Sequence, residues 1–375
     1  MGESLYGWLE KAQVRLLSFD KVSELGKISC PVSHECGACA LIDLSASAQR
    51  AIKLSRLRML LAPVLEGQKP AFEIEFNQSA APEGYRNRIR LQVKADGSVG
   101  FFNERKDPDC QVLSPALRES LHQLMKLAHG LKSLFSRVSH LELREPDLDR
   151  RASIFLSLVE GGEGGTRAAL QSALGADFLL GFEGQSVESQ RYAIVPNVHA
   201  RVPLGGFMQV NQVVNRALVS QVVDGALKRN VTRAADLYCG AGNFALPLAD
   251  AGVQTVGVEV NSNAVHALRK AAAQQGLEGQ WFCESVPEWA GLAGAEGGRF
   301  ELLVLDPPRA GLGAFIDALL SLSPNYIALC SCRPESLVRD LCALQDSGFI
   351  VESAELFDMF EHTHSVETLV WLSRR

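Results

Sequence analysis

No apolar run in this chain is long enough to cross a bilayer, which takes about 18 consecutive residues. Residues 1–11 carry acids and lack the apolar core behind basic residues that marks an export signal. Both absences lead us to expect a cytoplasmic protein with no membrane partner. Positive charge is also scarce, since the net charge is −6. Nucleic-acid binding gains no support from the overall charge and would need a locally basic surface.

The nine cysteines do not suggest a disulfide framework, because their number is odd and no export signal precedes them. Cys30, Cys36 and Cys39 crowd into one short stretch, and Cys110 is the only other cysteine in the amino half. Four thiolates are a ligand set for zinc or for an iron–sulfur cluster. The spacing alone leaves both possibilities open.

The composition, 47% hydrophobic and 21% charged, is that of a globular protein, and 375 residues allow two or three domains. From about Asn211 onward, helical and strand-like segments alternate, which predicts an α/β, doubly wound domain. Strands with one long helix precede it and predict an α+β domain. The predicted divisions are 1–70 for a cysteine-cluster segment, 71–200 for the α+β domain and 201–375 for the doubly wound domain.

The element boundaries follow from the same patterns. The predicted helices are 115–134, 213–228, 244–251 and 264–275. The predicted strands are 72–76, 89–94, 141–143, 154–159, 234–237, 255–260, 302–305 and 326–330.

Two polar motifs, Asp306-Pro-Pro-Arg309 and Ser331-Cys-Arg-Pro334, each follow a short apolar run. Open α/β sheets place their chemistry at the carboxyl ends of such buried strands. A thiol there can add to an electrophilic carbon such as C6 of a pyrimidine, so Cys332 is the candidate nucleophile. The alternatives are that Cys332 is a buried structural cysteine, or that Cys330 is the nucleophile.

A glycine-bearing turn follows the predicted strand 234–237 and leads into a helix. Gly240 and Gly242 would let a ligand approach the backbone closely, because they have no Cβ. Glu259 ends the next strand, about twenty residues on, where an acid binds ribose hydroxyls. The spacing fits a dinucleotide or S-adenosylmethionine. Ala245 stands at the third glycine position of the dinucleotide pattern, which favours the methyl donor.

One stretch could form a local basic surface. Arg86, Arg88 and Arg90 alternate along a predicted strand beside Tyr85, and Lys94 follows them. Such a face would suit RNA phosphates. The alternative is a solvated strand face without a partner.

Taken together, the motifs resemble those of the uracil-5 RNA methyltransferases, the bacterial 23S rRNA enzymes in particular. The resemblance extends from Cys30 to the end of the chain. The motifs that carry it are Asp236-Leu-Tyr-Cys-Gly-Ala-Gly242, Gly257-Val-Glu259, Asp306-Pro-Pro-Arg309, Ser331-Cys332-x-Pro334 and Phe357-Asp-Met-Phe-x-His-Thr-x-x-x-Glu367.

The resemblance implies a Rossmann-like, S-adenosylmethionine-dependent methyltransferase domain. It makes Cys332 the nucleophile that adds to uracil C6 and Glu367 the base that removes the C5 proton. It also implies that S-adenosylmethionine is bound by Gln209, Tyr238, Glu259 and Asp306, with Gly240 and Asn243 as weaker assignments. Because the base must leave its stack to reach a thiol, the expected partner is unpaired RNA.

The resemblance further implies a [4Fe–4S] cluster on Cys30, Cys36, Cys39 and Cys110, with zinc as the second choice. A cluster favours 23S rRNA over tRNA as the substrate. The chain departs from the family pattern at Arg333, where Asn is usual, and at Glu361, where Pro is common. Only 29 residues precede Cys30, too few for the RNA-binding barrel that some relatives carry there.

Two other classes of function stay open from the sequence alone. One is an oxidoreductase that uses the glycine turn and an iron–sulfur centre for electron transfer. The other is a noncatalytic RNA-binding protein that retains a methyltransferase fold. The sequence indicates neither an oligomeric state nor the nucleotide that is modified.

Overall fold

The computed structural model describes residues 30, 36–65, 74–77, 83–101, 109–160, 165–185 and 188–375. The helices are α1 (Ala46–Leu65), α2 (Pro115–Gly130), α3 (Lys132–Phe135), α4 (Thr166–Leu174), α5 (Gln212–Lys228), α6 (Ala245–Asp250), α7 (Ser262–Gln275), α8 (Val286–Ala295), α9 (Ile316–Leu320) and α10 (Pro334–Asp346). The strands are β1 (Glu75–Asn77), β2 (Arg88–Val93), β3 (Val99–Gly100), β4 (Val138–Arg144), β5 (Ser153–Leu158), β6 (Leu179–Phe182), β7 (Ser189–Val195), β8 (Val198–Pro203), β9 (Arg233–Leu237), β10 (Gln254–Glu259), β11 (Gln280–Cys283), β12 (Leu302–Leu305), β13 (Tyr326–Ser331), β14 (Phe349–Phe357) and β15 (Glu367–Arg374). Within these ranges, no helix combines the length and apolar composition needed to cross a membrane.

The largest sheet has eight strands in the order β1-β14-β15-β13-β12-β9-β10-β11. Strands β9 to β13 run parallel to one another, whereas β15 runs antiparallel to both β13 and β14. Strand β12 reads Leu302–Leu305 and is fully buried, as expected for a parallel strand covered on both faces. Alternate residues of β12 belong to two different hydrophobic cores, one on each face of the sheet. The doubly wound α/β prediction is confirmed.

The amino half contains a five-stranded sheet in the order β3-β2-β4-β5-β6. Helix α2 packs against it around a third core. The helix begins as its sequence predicts, because Ser114 Oγ accepts from Leu117 N at 3.0 Å and Pro115 opens the first turn. The predicted helix 115–134 divides at Leu131 into α2 and α3. The amino-terminal α+β prediction is confirmed.

Packing crosses the predicted divisions at residues 70 and 200. Strand β1 pairs with β14 of the large sheet, and the β7–β8 hairpin packs into one of the large sheet's cores. Helix α1 contributes Leu57 and Leu61 to the other core of that sheet. The domain limits therefore stay predictions. Residues 1–29, and residues 72–73 of the predicted strand 72–76, lie outside the described residues.

Candidate active site

Three of the predicted site residues meet at one edge of the large sheet. Asp306 follows β12 and Cys332 follows β13, and these two strands are parallel neighbours. Strand β15 runs antiparallel to β13, with Thr368 opposite Ser331. The first residue of β15, Glu367, therefore lies at the edge where β12 and β13 end.

The two candidate nucleophiles differ in burial. Cys330 has no exposed surface and belongs to the hydrophobic core, whereas Cys332 lies just beyond the strand and is partly exposed. Burial raises the pKa of the Cys332 thiol, and the nearby Glu367 and Asp306 carboxyls raise it further. Arg309 lowers this pKa through its charge and a hydrogen bond to the thiol. The geometry favours Cys332 over Cys330 as the nucleophile.

Glu367 is buried to 3% exposure, and within the described part of the chain its Oε1 has no hydrogen-bond partner. Burial raises the pKa of Glu367 well above its usual range, and the charge of Asp306 adds to the rise. A carboxylate with a raised pKa is a stronger base than one in water. Glu367 is therefore suited to accept a proton from a group that enters this edge.

Two aspartates lie beside this base. Burial raises the pKa of Asp306 to about 6. Asp236 on β9 is fully buried, and burial together with Asp306 raises its pKa well above the usual range, while the backbone N–H groups of Ala245 and Phe244 lower it. No role for Asp236 was predicted from the sequence. These carboxyl groups make the site favourable for a positively charged ligand.

A cavity opens beside this carboxyl cluster. It is lined by Gln209, Tyr238, Gly240, Asn243 and Asp306, among others. Glu259 contacts the glycine turn beside the cavity, because its carboxylate accepts from Gly240 N at 3.1 Å; it also accepts from Asn261 N at 2.8 Å. Gln209, Tyr238 and Asp306 thus border one space, whereas Glu259 is bonded to the turn next to it.

The two glycines of the turn have different roles. Gly240 has φ +53°, and a Cβ there would meet no atom within 4 Å, so its backbone is open to a ligand. Gly242 has φ +93°, and a Cβ there would lie 2.5 Å from Leu268 Cδ1. The prediction that Gly242 lets a ligand approach is therefore wrong. This glycine allows the turn to pack against α7.

The four predicted metal ligands line a second cavity, of about 390 Å³. Cys30, Cys36, Cys39 and Cys110 all border it, together with Arg86. Burial raises the pKa of Cys39 to about 12, the other three thiols raise it, and Arg86 lowers it. Within the described ranges, no group of three or more His, Cys, Asp or Glu side chains is arranged to hold a metal ion.

The predicted basic strand is only partly available to RNA. Tyr85 is buried, and its hydroxyl donates to the backbone oxygen of Glu361 at 3.1 Å, so the ring cannot stack on a base. Arg88 and Arg90 both contact the buried carboxylate of Glu142, at 3.0 and 3.4 Å. Arg90 keeps a side chain that is 65% exposed. Of these residues, Arg90 is the best placed to meet a phosphate.

Comparison with known proteins agrees with this geometry. The family model described as tRNA (Uracil-5-)-methyltransferase matches residues 186–281 and 288–375. The 23S rRNA (uracil(1939)-C(5))-methyltransferase RlmD of Marinomonas posidonica is 31% identical over 376 residues, which cover 96% of this chain and 83% of the relative. The chain belongs to the uracil-5 RNA methyltransferase family.

Two further proteins are similar to this chain in sequence or in structure. RlmD of Bordetella parapertussis is 32% identical over 374 residues, covering 91% of this chain and 78% of that protein. The crystal structure of Pyrococcus abyssi tRNA (uracil-54, C5)-methyltransferase with S-adenosyl-L-homocysteine has a TM-score of 0.70, at 23% identity. It covers 89% of this chain and 85% of that one, which confirms the fold of this family member. Membership in a family of methyltransferases removes the basis for the oxidoreductase alternative.

Within this uracil-5 RNA methyltransferase, sequence reasoning missed one side chain at the reacting edge. Arg309 closes the motif that begins at Asp306, and its guanidinium lowers the pKa of the Cys332 thiol. The only sequence signal was its place at the end of a strand beside another strand-end motif. That signal places a residue near an edge but does not indicate where its side chain points.

Proposed function

We propose that this enzyme transfers a methyl group from S-adenosylmethionine to C5 of a uridine in 23S rRNA. The observation that carries the proposal is the meeting of Cys332 and Glu367 at one sheet edge, beside the cavity bordered by Asp306. Curated relatives named as 23S rRNA enzymes, together with the cysteine quartet, favour rRNA over tRNA. The substrate makes the expected compartment the cytoplasm.

The residues around this cavity suit S-adenosylmethionine. Glu259 is held at the glycine turn, where it can accept from ribose hydroxyls. The Gly240 backbone is open to the cavity, and Asp306 at its wall can supply negative charge for a sulfonium. Gln209 and Tyr238 line the walls. When bound there, S-adenosylmethionine supplies an electrophilic methyl group.

Uracil C5 is too weak a nucleophile to take this methyl group unaided, and Cys332 supplies the activation. Its thiolate adds to C6, so that an S–C6 bond forms and the electron pair of the C5–C6 double bond moves toward C5 and the O4 carbonyl. Arg309 stabilises the thiolate that this step needs. C5 then takes the methyl group, and S-adenosylhomocysteine is the leaving group.

Glu367 completes the cycle by taking the proton from C5. The electron pair of that C–H bond re-forms the C5–C6 double bond, and the S–C6 bond breaks to release the Cys332 thiolate. The net change replaces one hydrogen of uracil by a methyl group and releases one proton. A buried carboxylate with a raised pKa suits this last step.

We also propose that Cys30, Cys36, Cys39 and Cys110 hold a [4Fe–4S] cluster. A single zinc ion needs its sulfur ligands about 2.3 Å from one point. A cluster core is larger and is held by thiolates spread around it, and the four cysteines border one cavity of about 390 Å³. Methyl transfer needs no electron, so the cluster would act in structure or RNA contact. An anaerobic preparation with stoichiometric zinc and no iron–sulfur absorption would contradict this assignment.

The function is tested with labelled S-adenosylmethionine and unmodified 23S rRNA and tRNA transcripts. We expect 5-methyluridine in the 23S transcript, identified by mass spectrometry of the digested product, and little in tRNA. Methylation of the tRNA transcript alone would indicate that the substrate is tRNA and not 23S rRNA. Absence of 5-methyluridine from both would contradict the proposal.

A further inference from the structure

The candidate base Glu367 is reached through a loop whose conformation is set by a distant part of the chain. Residues 358–366 connect β14 to β15 and end directly before Glu367, and we name them the base loop. Helix α1, about three hundred residues earlier, contacts this loop at Asp358, Phe360 and His362. Because the base loop leads directly into Glu367, the contacts that hold this loop also help to set the position of Glu367.

The strongest contact is a buried ion pair. Lys53 Nζ lies 2.5 Å from Asp358 Oδ1, and the two side chains are only 1% and 5% exposed. The same ammonium donates to the backbone oxygen of Phe360 at 3.2 Å. Burial lowers the pKa of Lys53, whereas Asp358 and Glu361 raise it.

A gain in folding stability does not by itself explain the presence of this buried ion pair. Desolvation of two buried charges largely cancels their attraction, and apolar replacements of a buried pair are often as stable or more so. A buried ion pair instead favours a single conformation, because any other conformation would leave a buried charge without its partner. The Lys53–Asp358 pair fixes where the base loop leaves β14.

The second contact holds the strained point of the base loop. His362 is buried with φ +64°, a conformation that costs a non-glycine residue about 1–3 kcal/mol. Gln49 accepts from His362 N at 3.1 Å, and its Nε2 lies 3.2 Å from His362 Nδ1. Leu41 N donates to His362 O at 2.9 Å. The amino-terminal segment therefore holds this backbone conformation in place.

We propose that Lys53 and Gln49 are positioning residues for Glu367, which they hold where its carboxylate reaches the C5 proton. The inference rests on the proposed function of Glu367 as the base. Because a displacement of about 1 Å at a reacting group can cost on the order of a hundredfold in rate, a loosened loop impairs the base step specifically. Addition of Cys332 and methyl transfer precede that step and do not use the base loop.

The test uses a double variant, Lys53→Met with Asp358→Asn, which removes both charges of the ion pair together. A second variant, Gln49→Leu, removes no charge and serves if the double variant does not fold. The matched control is Gln345→Leu. Gln345 Nε2 bonds to Val64 O at 2.9 Å, so this substitution removes another contact of α1 without touching the base loop. Circular dichroism and thermal melting establish that each variant is folded.

With S-adenosylmethionine and a 23S transcript of ordinary uridine, we expect kcat to fall about tenfold to a hundredfold in both test variants. KM for RNA and for S-adenosylmethionine should fall with it, so that kcat/KM changes less than about twofold, because the slowed step follows methyl transfer and the binding groups are untouched. A covalent enzyme–RNA adduct carrying the new methyl group should accumulate, since only its breakdown is slowed. The wild type and Gln345→Leu should accumulate none.

A transcript containing 5-fluorouridine distinguishes a failure of the positioning role from a failure of the proposed function. Fluorine cannot leave as a proton, so the wild type should form a stable adduct, and the test variants should form it at the wild-type rate. Folded variants with normal turnover, or with slowed 5-fluorouridine trapping and no adduct on ordinary RNA, would overturn the positioning role. A wild type that traps no 5-fluorouridine RNA would instead contradict the proposed function.

Discussion

Glu367 combines full burial with a carboxylate oxygen that has no hydrogen-bond partner among the described residues. Such a group destabilises the folded state when it is charged. The raised pKa follows from that cost, since burial and the charge of Asp306 both favour the protonated form. The strength of the base and the loss of stability therefore have the same physical origin.

Glu367→Gln should make the protein more stable and nearly inactive. A carboxyl whose folded pKa is raised binds its proton more tightly in the folded state, so stability falls as pH rises from about 4.3 through the raised pKa. At neutral pH the amide removes this loss, and we expect a gain of about 0.5–2 kcal/mol in the free energy of unfolding. Turnover should fall by about 10²–10⁴-fold.

Thermal unfolding between about pH 4 and pH 8, with single-turnover assays, tests this expectation. The stability gain should shrink toward the acid end, where the wild-type carboxyl is protonated in both states. Glu335→Gln is the control, because Glu335 is exposed and its pKa is lowered, so it should bring no gain. Equal stability of Glu367→Gln and wild type at every pH would contradict the account.

For single residues, the sequence predicted where a residue lies in the fold better than where its side chain points. Cys332 and Asp306 could be placed at one edge because each follows an apolar strand, and parallel strands end together. The effect of Arg309 on the pKa of the Cys332 thiol and the packing role of Gly242 could not be predicted, since both depend on where side chains from other elements lie. Glu367 was assigned as the base through the family resemblance, although its apolar neighbours Val366, Leu369 and Val370 already made an acid at this position unusual.

Among the elements, the segment between β8 and α5 is held by the amino half. Asn87 Nδ2 donates to Gln209 O at 2.8 Å, and Asn87 N donates to Val210 O at 3.0 Å. The buried Arg144 guanidinium donates to Pro203 O at 3.0 Å and also to Gly206 O. The five-stranded sheet of the amino half thus shapes one wall of the cofactor cavity.

Asn87→Ala should weaken cofactor binding, because it removes the side-chain bond that fixes the backbone of Gln209. We expect the Kd for S-adenosylmethionine to rise about tenfold, in line with about 1–2 kcal/mol for a lost buried hydrogen bond. Isothermal titration measures it. The matched control is Gln92→Ala, which removes a 2.7 Å bond to Phe101 O elsewhere in the same sheet. A similar loss of affinity in both variants would contradict the local explanation.

Elements with regular apolar patterns were predicted closely from the sequence. Strand β12 has the predicted bounds, and α5 and α7 begin within two residues of theirs. Helix α1 was not predicted, because its inward face includes the polar Gln49 and Lys53, whose partners come from the base loop. A polar residue with a distant partner is invisible to a pattern of apolar spacing.

For the whole molecule, the cysteine cavity joins parts of the chain that are remote in sequence. Three of its thiols come from residues 30–39, and Cys110 comes from the start of the region before α2. A cluster bound there would cross-link these segments and contribute its binding free energy to folding. The packing across residues 70 and 200 likewise joins parts of the chain that are remote in sequence.

Cys110→Ser should therefore lower the melting temperature of anaerobically purified protein and reduce its iron content. We expect a shift of several degrees, consistent with a loss of about 2–3 kcal/mol in a chain of this size. Cys342→Ser is the control, because Cys342 is exposed on α10 and borders no described cavity. Iron content and melting temperature equal to those of the wild type would count against Cys110 as a ligand.

The central claim is that the Cys332 sulfur bonds to a uracil ring in RNA. Its most direct test is denaturing electrophoresis of the enzyme after incubation with S-adenosylmethionine and 5-fluorouridine-containing 23S transcript. We predict a slower covalent band for the wild type and for Cys330→Ala, since Cys330 lies in the core, and none for Cys332→Ala. A covalent band that persists in Cys332→Ala would contradict the account.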